Sequence, residues 1–320
     1  MPRLLTIAIP SFNRAAKLDR QLAWLSRNLA ELETECAVII SDNASTDDTP
    51  AVCAKWRDEF AARGIDVLVH RNPANVGPLP NIGRCIELST SRFTWVVGDD
   101  DEIPDDKLAW IVARLSADPN LAAIVLNFNG VGKSEYPRCF THEQDLLADG
   151  NVVMAECLKQ AYFGLAFMTA QIYRTEFAQA ALRAWPEGRS NYDFQVFLTA
   201  CVGRRGRVLA TSDTHCTYVT GDNVYEKNKR VGMTLYADSL EVFLNLRRIG
   251  YPSTLCRKLG WRHLWQLKKR FVKNSLQVSP LLTARTIART AGYICRLQLP
   301  DRASSRPPRD GMIGHHPVLH

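Results

Sequence analysis

Four consecutive carboxylates, Asp99, Asp100, Asp101 and Glu102, follow directly on an apolar run and a glycine, Phe93-Thr94-Trp95-Val96-Val97-Gly98. That arrangement delivers a knot of negative charge to the end of a buried strand. Carboxylates this close repel one another, and burying any of them uncompensated is costly. A hard divalent cation is the simplest counter-charge. The competing reading is a solvated acidic turn, with Asp105 or Asp106 capping a helix over residues 107–117.

The flanking elements bear on that choice. Residues 4–10 (LLTIAIP) read as a buried strand, closed by Pro10 and the turn-forming Ser11-Phe12-Asn13. Residues 15–30 read as a helix with one apolar stripe, Leu18, Leu22, Leu25 and Leu29. A second strand over 37–41 runs into the polar loop Asp42-Asn43-Ala44-Ser45-Thr46-Asp47-Asp48-Thr49. Pro50 suits the first turn of the next helix, which buries Val52, Trp56 and Phe60. Residues 65–70 form a third strand, and Asn75-Val76-Gly77 and Asn81-Ile82-Gly83 frame a loop and helix that lead to the acidic stretch. Leu108, Ile111, Val112 and Leu115 stripe another helix before a strand over 122–127.

Apolar strands alternating with helices predict an α/β fold with a mainly parallel sheet covered on both faces. Ligands of such sheets bind outside the carboxyl ends of the strands. Asn13, Asp42 and the run Asp99–Asp101 all fall there. Three polar clusters from three strands on one edge favour a ligand site over a solvated turn.

Composition narrows the class. The 320 residues, 46% hydrophobic and 23% charged, describe an ordinary globular protein with ample core. Nine scattered cysteines contain no Cys-x-x-Cys pair, so neither a disulfide framework nor a zinc site is expected, and a reducing compartment fits best. No apolar run approaches the ~18 residues of a spanning helix. The amino terminus leads straight into a strand, so a cleaved signal peptide is not expected. The turn over residues 10–15 lacks Gly-x-Gly-x-x-Gly, which disfavours dinucleotide binding. Gly132-Lys133-Ser134 fails as a phosphate loop because residue 127 is Asn.

Four motifs in order, Thr6-Ile7-Ala8-Ile9-Pro10-Ser11-Phe12-Asn13-Arg14, then residues 40–49 (ISDNASTDDT), then Asn75-Val76-Gly77, then Gly98-Asp99-Asp100-Asp101, resemble family 2 glycosyltransferases of the GT-A fold. The likeness is closest to sugar transferases of bacterial surface polysaccharide synthesis, the abequosyltransferase-like subgroup included. It covers residues 4–130 well and the stretch to about 223 loosely. It implies a nucleotide-diphospho-sugar donor, Mn²⁺ or Mg²⁺, inversion at the sugar carbon and a saccharide acceptor that is often lipid-linked. By position, Pro10, Phe12 and Arg14 resemble the wall of the base pocket and Asp42 the carboxylate that reads the base. Asn75, Gly77 and Asp100 join the donor set. The run Asp99–Asp101 resembles the DXD metal motif, although Gly98 stands where many relatives carry Asp. In extended backbone Asp99 and Asp101 would share a face. Asp101 is then the metal ligand, and Asp99 meets the ribose or supports the metal.

Attack by an acceptor hydroxyl calls for a general base. The family usually offers an acidic residue opening a helix beyond the central strand. The matching stretch here is residues 187–195, ahead of a helix striped by Val196, Phe197, Ala200 and Cys201. Asp193 is the first candidate and Glu187 the second, the usual Glu-Asp pair being incomplete. As a first-turn aspartate, Asp193 also simply suits the helix dipole. His215 and Asp222 flank a strand-like segment over 217–220. Relatives often carry a histidine near here that helps the metal or phosphates, so His215 is a candidate ligand.

The carboxy-terminal third differs in charge. Residues 245–310 hold fifteen Lys/Arg against two Asp, a net +13, which leaves −6 for the rest of a chain of net +7. Helices are predicted over 233–249 and 253–277. In the second, Trp261, Leu264, Trp265, Leu267, Phe271 and Val272 interleave with Arg262, Lys268, Lys269, Arg270 and Lys273. That pattern fits an interfacial helix on anionic lipid, residues 253–297 forming the surface. It fits equally a helix packed on the catalytic body with a solvated basic face. Nucleic acid is not expected, as no recognised motif supports it. The tail over 300–320 reads as disordered, and His315, His316 and His320 form no interpretable site.

The expected layout is a GT-A catalytic domain over 1–225, a basic helical region over 226–299 and a tail over 300–320. The expected protein is a cytoplasmic glycosyltransferase, peripheral on the inner face of the membrane. Its rival is a nucleotide-sugar-binding protein without catalysis, which Gly98 and the incomplete Glu-Asp pair favour.

Overall fold

The computed structural model describes residues 2–220 and 228–299; Asp222 and the tail over 300–320, with His315, His316 and His320, lie outside the described residues. Four strands carry the amino-terminal half: β1 (Leu5–Ser11), β2 (Cys36–Asp42), β3 (Asp66–Arg71) and β4 (Phe93–Val96). All four are parallel, in the spatial order β3-β2-β1-β4. Their connections are α1 (Ala15–Asn28), α2 (Thr49–Ala62) and α3 (Pro78–Leu88). Every residue of β2 and β4 is buried, which explains why they are apolar on both faces. Parallel pairing sends all four carboxyl ends to one edge, and the register sets Ser11 of β1 beside Asp42 of β2.

The sheet continues as β4-β7-β5-β8-β6. After α4 (Lys107–Ala117) come β5 (Leu121–Gly132), β6 (Leu146–Asp149) and α5 (Gly150–Ala161). Next are two 3-10 turns, Tyr162–Ala166 and Met168–Ala170, then β7 (Gln171–Arg174) and α6 (Thr175–Ala184). A 3-10 turn over Pro186–Ser190 leads to α7 (Phe194–Gly203) and β8 (Arg207–Thr220). β7 runs antiparallel between β4 and β5, β8 is parallel to β5, and β6 is antiparallel to β8. The sheet is thus mixed but mostly parallel. β5 outruns its predicted end at residue 127 because β8 pairs with it as far as Gly132.

Trp95 is fully buried at the centre of the sheet. Its ring meets Trp24 of α1 edge-on, with centroids 6.4 Å apart, and its Nε1 donates to the Thr169 carbonyl at 2.8 Å. A buried indole N–H needs such an acceptor. The bond ties the Met168–Ala170 turn to β4.

Three helices close the described chain: α8 (Lys229–Arg248), α9 (Ser253–Ser275) and α10 (Pro280–Gln298). Asn228 caps α8 by accepting from the Arg230 amide at 3.0 Å. Ser279 caps α10, with Pro280 in its first turn. α8 packs on α7 and carries α9 and α10 on its other sides. All ten residues of α7 are buried, so the helical region shares the core of the sheet.

Candidate active site

The loops after β1 and β2 lock together. Asn13, in the left-handed region at φ 53°, donates its amide to Ser45 Oγ at 2.9 Å, and its Oδ1 accepts from the Thr46 amide at 2.8 Å. Asparagine tolerates that backbone better than most residues. Asp42 is buried, accepts from the Ser45 amide at 2.9 Å and pairs with Arg71, which also donates to the Ser45 carbonyl. Pro10 is half-buried, and Phe12 stands exposed on the rim.

An amide network fixes the third loop. Asn43 donates to the Asn75 side chain at 2.9 Å and accepts from the Val76 amide at 3.0 Å and from Asn72 Nδ2 at 3.0 Å. Asn72 also donates to Asn81 Oδ1, which accepts from Ser41 Oγ at 2.7 Å. Asn75 Oδ1 accepts from the Gly77 amide, and Gly77 takes φ 90° to enter α3. Asn75 and Gly77 are thereby held at the same edge as Asp42.

The acidic turn divides its charge. Asp99 is buried and accepts from Ser11 Oγ at 2.7 Å and from Arg14 at 2.9 Å. Burial raises its pKa, while Arg14 and Ser11 hold it back. Asp100 pairs with the same Arg14 at 3.0 Å and with Lys17 at 2.6 Å. Asp101 turns elsewhere and accepts from the Thr169 hydroxyl, whose oxygen in turn accepts from the Gly98 amide at 3.0 Å. Asp99 and Asp101 therefore do not share a face as extended backbone would require. β4 ends at Val96 and Asp99-Asp100 form a turn, so alternation has stopped by then.

Burial, opposed by Thr169 and reinforced by Asp100 and Asp99, pushes the Asp101 carboxyl up to about 7. A cation beside it would reverse that shift. Among the described residues no group of three or more His, Cys, Asp or Glu is arranged to hold a metal. Asp101 is the carboxylate of this turn that could hold a hard cation, of the kind that takes one or two carboxylates with the rest of its shell from phosphates and water.

His215 does not join the aspartates. Its ring lies on Trp110 of α4, with centroids 4.4 Å apart, and burial together with Lys107 lowers its pKa. Strand alternation puts the next residue, Cys216, on the Asp101 side, where that carboxylate raises the thiol further. Glu187 is exposed on the Pro186–Ser190 turn. Asp193 opens α7 and is only 8% exposed. It accepts from Ser239 Oγ of α8, and burial with help from Asp238 pushes its pKa up to about 7.

The model of one sequence family, described as glycosyl transferase family 2, matches residues 6–162, spanning all the loops above. Over that stretch, just under half of the chain, the sequence is that of a glycosyl transferase family 2 domain. Abequosyltransferase RfbV of Salmonella typhimurium is 29% identical over 118 residues, 37% of this chain and 34% of that protein. Validoxylamine A glucosyltransferase of Streptomyces hygroscopicus is 46% identical over 57 residues, 18% of this chain and 13% of its own length. The chain thus spans about a third or less of these curated relatives.

Among solved structures, TarS 1-349 of S. aureus, in complex with UDP-GlcNAc, superposes with a TM-score of 0.66 at 15% identity, over 92% of this chain and 82% of that one. The mannosyltransferase PcManGT of Pyrobaculum calidifontis, in complex with GDP-Man and Mn2+, gives 0.57 at 14% identity, over 93% and 88%. The family 2 domain therefore has the GT-A fold that its motifs implied.

Several residues that order this candidate site were not assigned from sequence. Ser11 lay inside a motif, and Lys17 sits one helical turn past Arg14, so each carried a signal. Arg71 directly follows a predicted strand. Thr169 and Ser239 carried none.

Proposed function

We propose that this chain is an inverting glycosyltransferase, moving a hexosyl or deoxyhexosyl group from a nucleotide-diphosphate donor to a saccharide hydroxyl, with Mn²⁺ or Mg²⁺ bound beside the donor. The observation that carries this reading is the partition of the acidic turn. Asp99 and Asp100 are paired with Arg14 and Lys17, whereas Asp101 meets a hydroxyl and is pushed up to about 7 by burial first and its acidic neighbours next. Such a carboxylate gains most from a cation. Two proteins of the same fold are described with donors of the proposed class, UDP-GlcNAc in one and GDP-Man with Mn2+ in the other.

In this reading Pro10, Phe12, Asp42, Asn75 and Gly77 hold the nucleotide along the β1–β2 edge. Arg14 and Lys17 keep the acidic turn rigid by pairing with Asp99 and Asp100, and Asp101 seats the cation. That ion would neutralise charge on the departing diphosphate. Asp193 takes the proton of the acceptor hydroxyl as its oxygen bonds to the anomeric carbon from the face opposite the breaking bond. The electron pair of that bond leaves on the diphosphate. A carboxylate with a pKa of about 7 is well matched to such a transfer near neutrality. Residues 1–225 would form the catalytic part and 226–299 its helical extension. The proposed acceptor is a surface polysaccharide on a lipid carrier, reached by a cytoplasmic enzyme at the inner face of the membrane. Among the described residues no helix is long and apolar enough to cross a membrane.

Thermal unfolding with UDP, dTDP or GDP, each with and without Mn²⁺, tests the donor site. One nucleotide should stabilise by about 2.7 kcal/mol at a hundredfold excess over its Kd, and only with the metal. Slow hydrolysis of the matching sugar nucleotide, lost in Asp101→Ala, should follow. Stabilisation without turnover would leave a nucleotide-sugar-binding protein, a reading that the burial of Asp193 against Ser239 favours.

A further inference from the structure

Helix α9 is buried more deeply in its first half than in its second. In its first half Leu255, Cys256, Leu259, Gly260 and His263 are buried, whereas from residue 264 to its end only Asn274 is. His263 is held between the Tyr162 hydroxyl at 2.7 Å and the Tyr236 carbonyl at 2.8 Å. Arg262 donates to the Leu158 and Lys159 carbonyls in the last turn of α5. The helix is therefore fastened most closely to the catalytic body at residues 255–263; beyond them one side still touches it, with the Phe271 ring 4.5 Å from that of Tyr236 on α8, while the opposite side is exposed.

That exposed side has a distinct face. Trp261 is 56% exposed, Trp265 71%, Val272 59% and Leu276, just past the helix end, 83%. Spacings of four, seven and four put all of them on one stripe. Lys258, Lys268, Lys269 and Lys273 are exposed around it. Lys268 Nζ lies 3.2 Å from the Trp265 ring centroid. Over residues 253–299 there are ten Lys or Arg and no Asp or Glu.

We propose that α9 lies in the surface of an anionic lipid bilayer, with Trp261, Trp265, Val272 and Leu276 sunk to the boundary between headgroups and acyl chains. The lysines around them meet lipid phosphates. Tryptophan favours that boundary because one end of its ring system is apolar and the other carries an N–H. Val272 and Leu276 argue for lipid over a polynucleotide, since aliphatic side chains offer a phosphate backbone nothing. The uniform positive charge argues against a second copy of this chain, because two such faces repel. The proposal stands on the helix face and not on the sugar-transfer reading. Its consequence would be a catalytic body held at a fixed tilt to the bilayer through His263 and Arg262.

The test is flotation of the full chain with phosphatidylcholine vesicles, with and without phosphatidylglycerol. Binding is expected only with the anionic lipid, with a blue shift of tryptophan emission and loss at high salt. Neutralising Lys269 or Lys273 to Gln should lower the partition coefficient about fivefold each. Trp261→Ala with Trp265→Ala should lower it about tenfold or more while shifting the melting temperature only slightly, since both side chains are more than half exposed. Failure to bind anionic vesicles, or undiminished binding by the double tryptophan variant, overturns the proposal. So does RNA that displaces the vesicles, or a dimer in solution that shields both tryptophans from a soluble quencher.

Discussion

The Asp101 carboxylate occupies the space that a side chain on Gly98 would need. Thr169 joins the two, receiving the Gly98 amide and donating to Asp101. Gly98→Ala should therefore lift the carboxylate, the far end of a flexible side chain, off Thr169. The fold should lose no more than about 1 kcal/mol. Mn²⁺-dependent nucleotide affinity should fall about tenfold, because a charge-assisted hydrogen bond that orients the ligand is lost. Calorimetric titration with and without the metal reads the difference.

As the proposed general base, Asp193 would link stability and rate through pH. Its folded pKa of about 7 lies above the ordinary 3.8, so between those values the folded chain keeps a proton that the unfolded chain has released. The stability it contributes is full below about pH 4 and is lost as pH rises to 7. Asp193→Asn should therefore raise the melting temperature above pH 7 and change little near pH 4. Transfer should instead rise with pH through about 7 in the parent, and run flat and about 10²–10⁴-fold slower in the variant.

Arg289 of α10 reaches the buried Asp238 of α8 at 2.8 Å, and the Asp238 side chain also receives the Tyr192 amide at 3.0 Å ahead of α7. Arg289→Ala strands a buried carboxylate. Because the Arg289 side chain is 39% exposed and screened by water, the cost should be about 1–2 kcal/mol by urea unfolding. Adding Asp238→Asn should recover part of it. Full additivity of the two changes would show that the pair does not interact.

Asn81 is buried where Ser41, Asn72 and the Ser41 carbonyl converge on its amide. Asn81→Ala removes all three of these bonds, although Asn72 Nδ2 keeps Asn43 as an acceptor, and should cost about 2–3 kcal/mol. Nucleotide affinity should fall with it, since the Asn72–Asn43–Val76 chain that positions the third loop loses its anchor. Asn81→Asp keeps an acceptor for Asn72 and for the Ser41 hydroxyl but sets a carboxylate oxygen against the Ser41 carbonyl, which should be its main cost.

Legibility followed the range of the interactions concerned. Strands β1 to β5 and helices α1 to α4 announced themselves because apolar periodicity is a local signal. β6 and β7 are four residues each and gave no comparable pattern. β7 lies between β4 and β5 although it follows β4 by some seventy-five residues, a placement that only the closed sheet decides. The metal set suggested from sequence is likewise not assembled, since alternation along β8 turns His215 to Trp110 and away from Asp101.

By itself the sequence determined that Asn13, Asp42 and the acidic turn meet at one edge, because apolar parallel strands joined by helices have no other place for their carboxyl ends. Only the tertiary structure decided which carboxylate each cation answers. Arg14 and Lys17 reach Asp99 and Asp100 across 83 to 86 residues, and Thr169 reaches Asp101 across 68. Periodicity reports a side chain's neighbours within a turn or along a strand. It carries nothing about partners that meet only when the sheet closes.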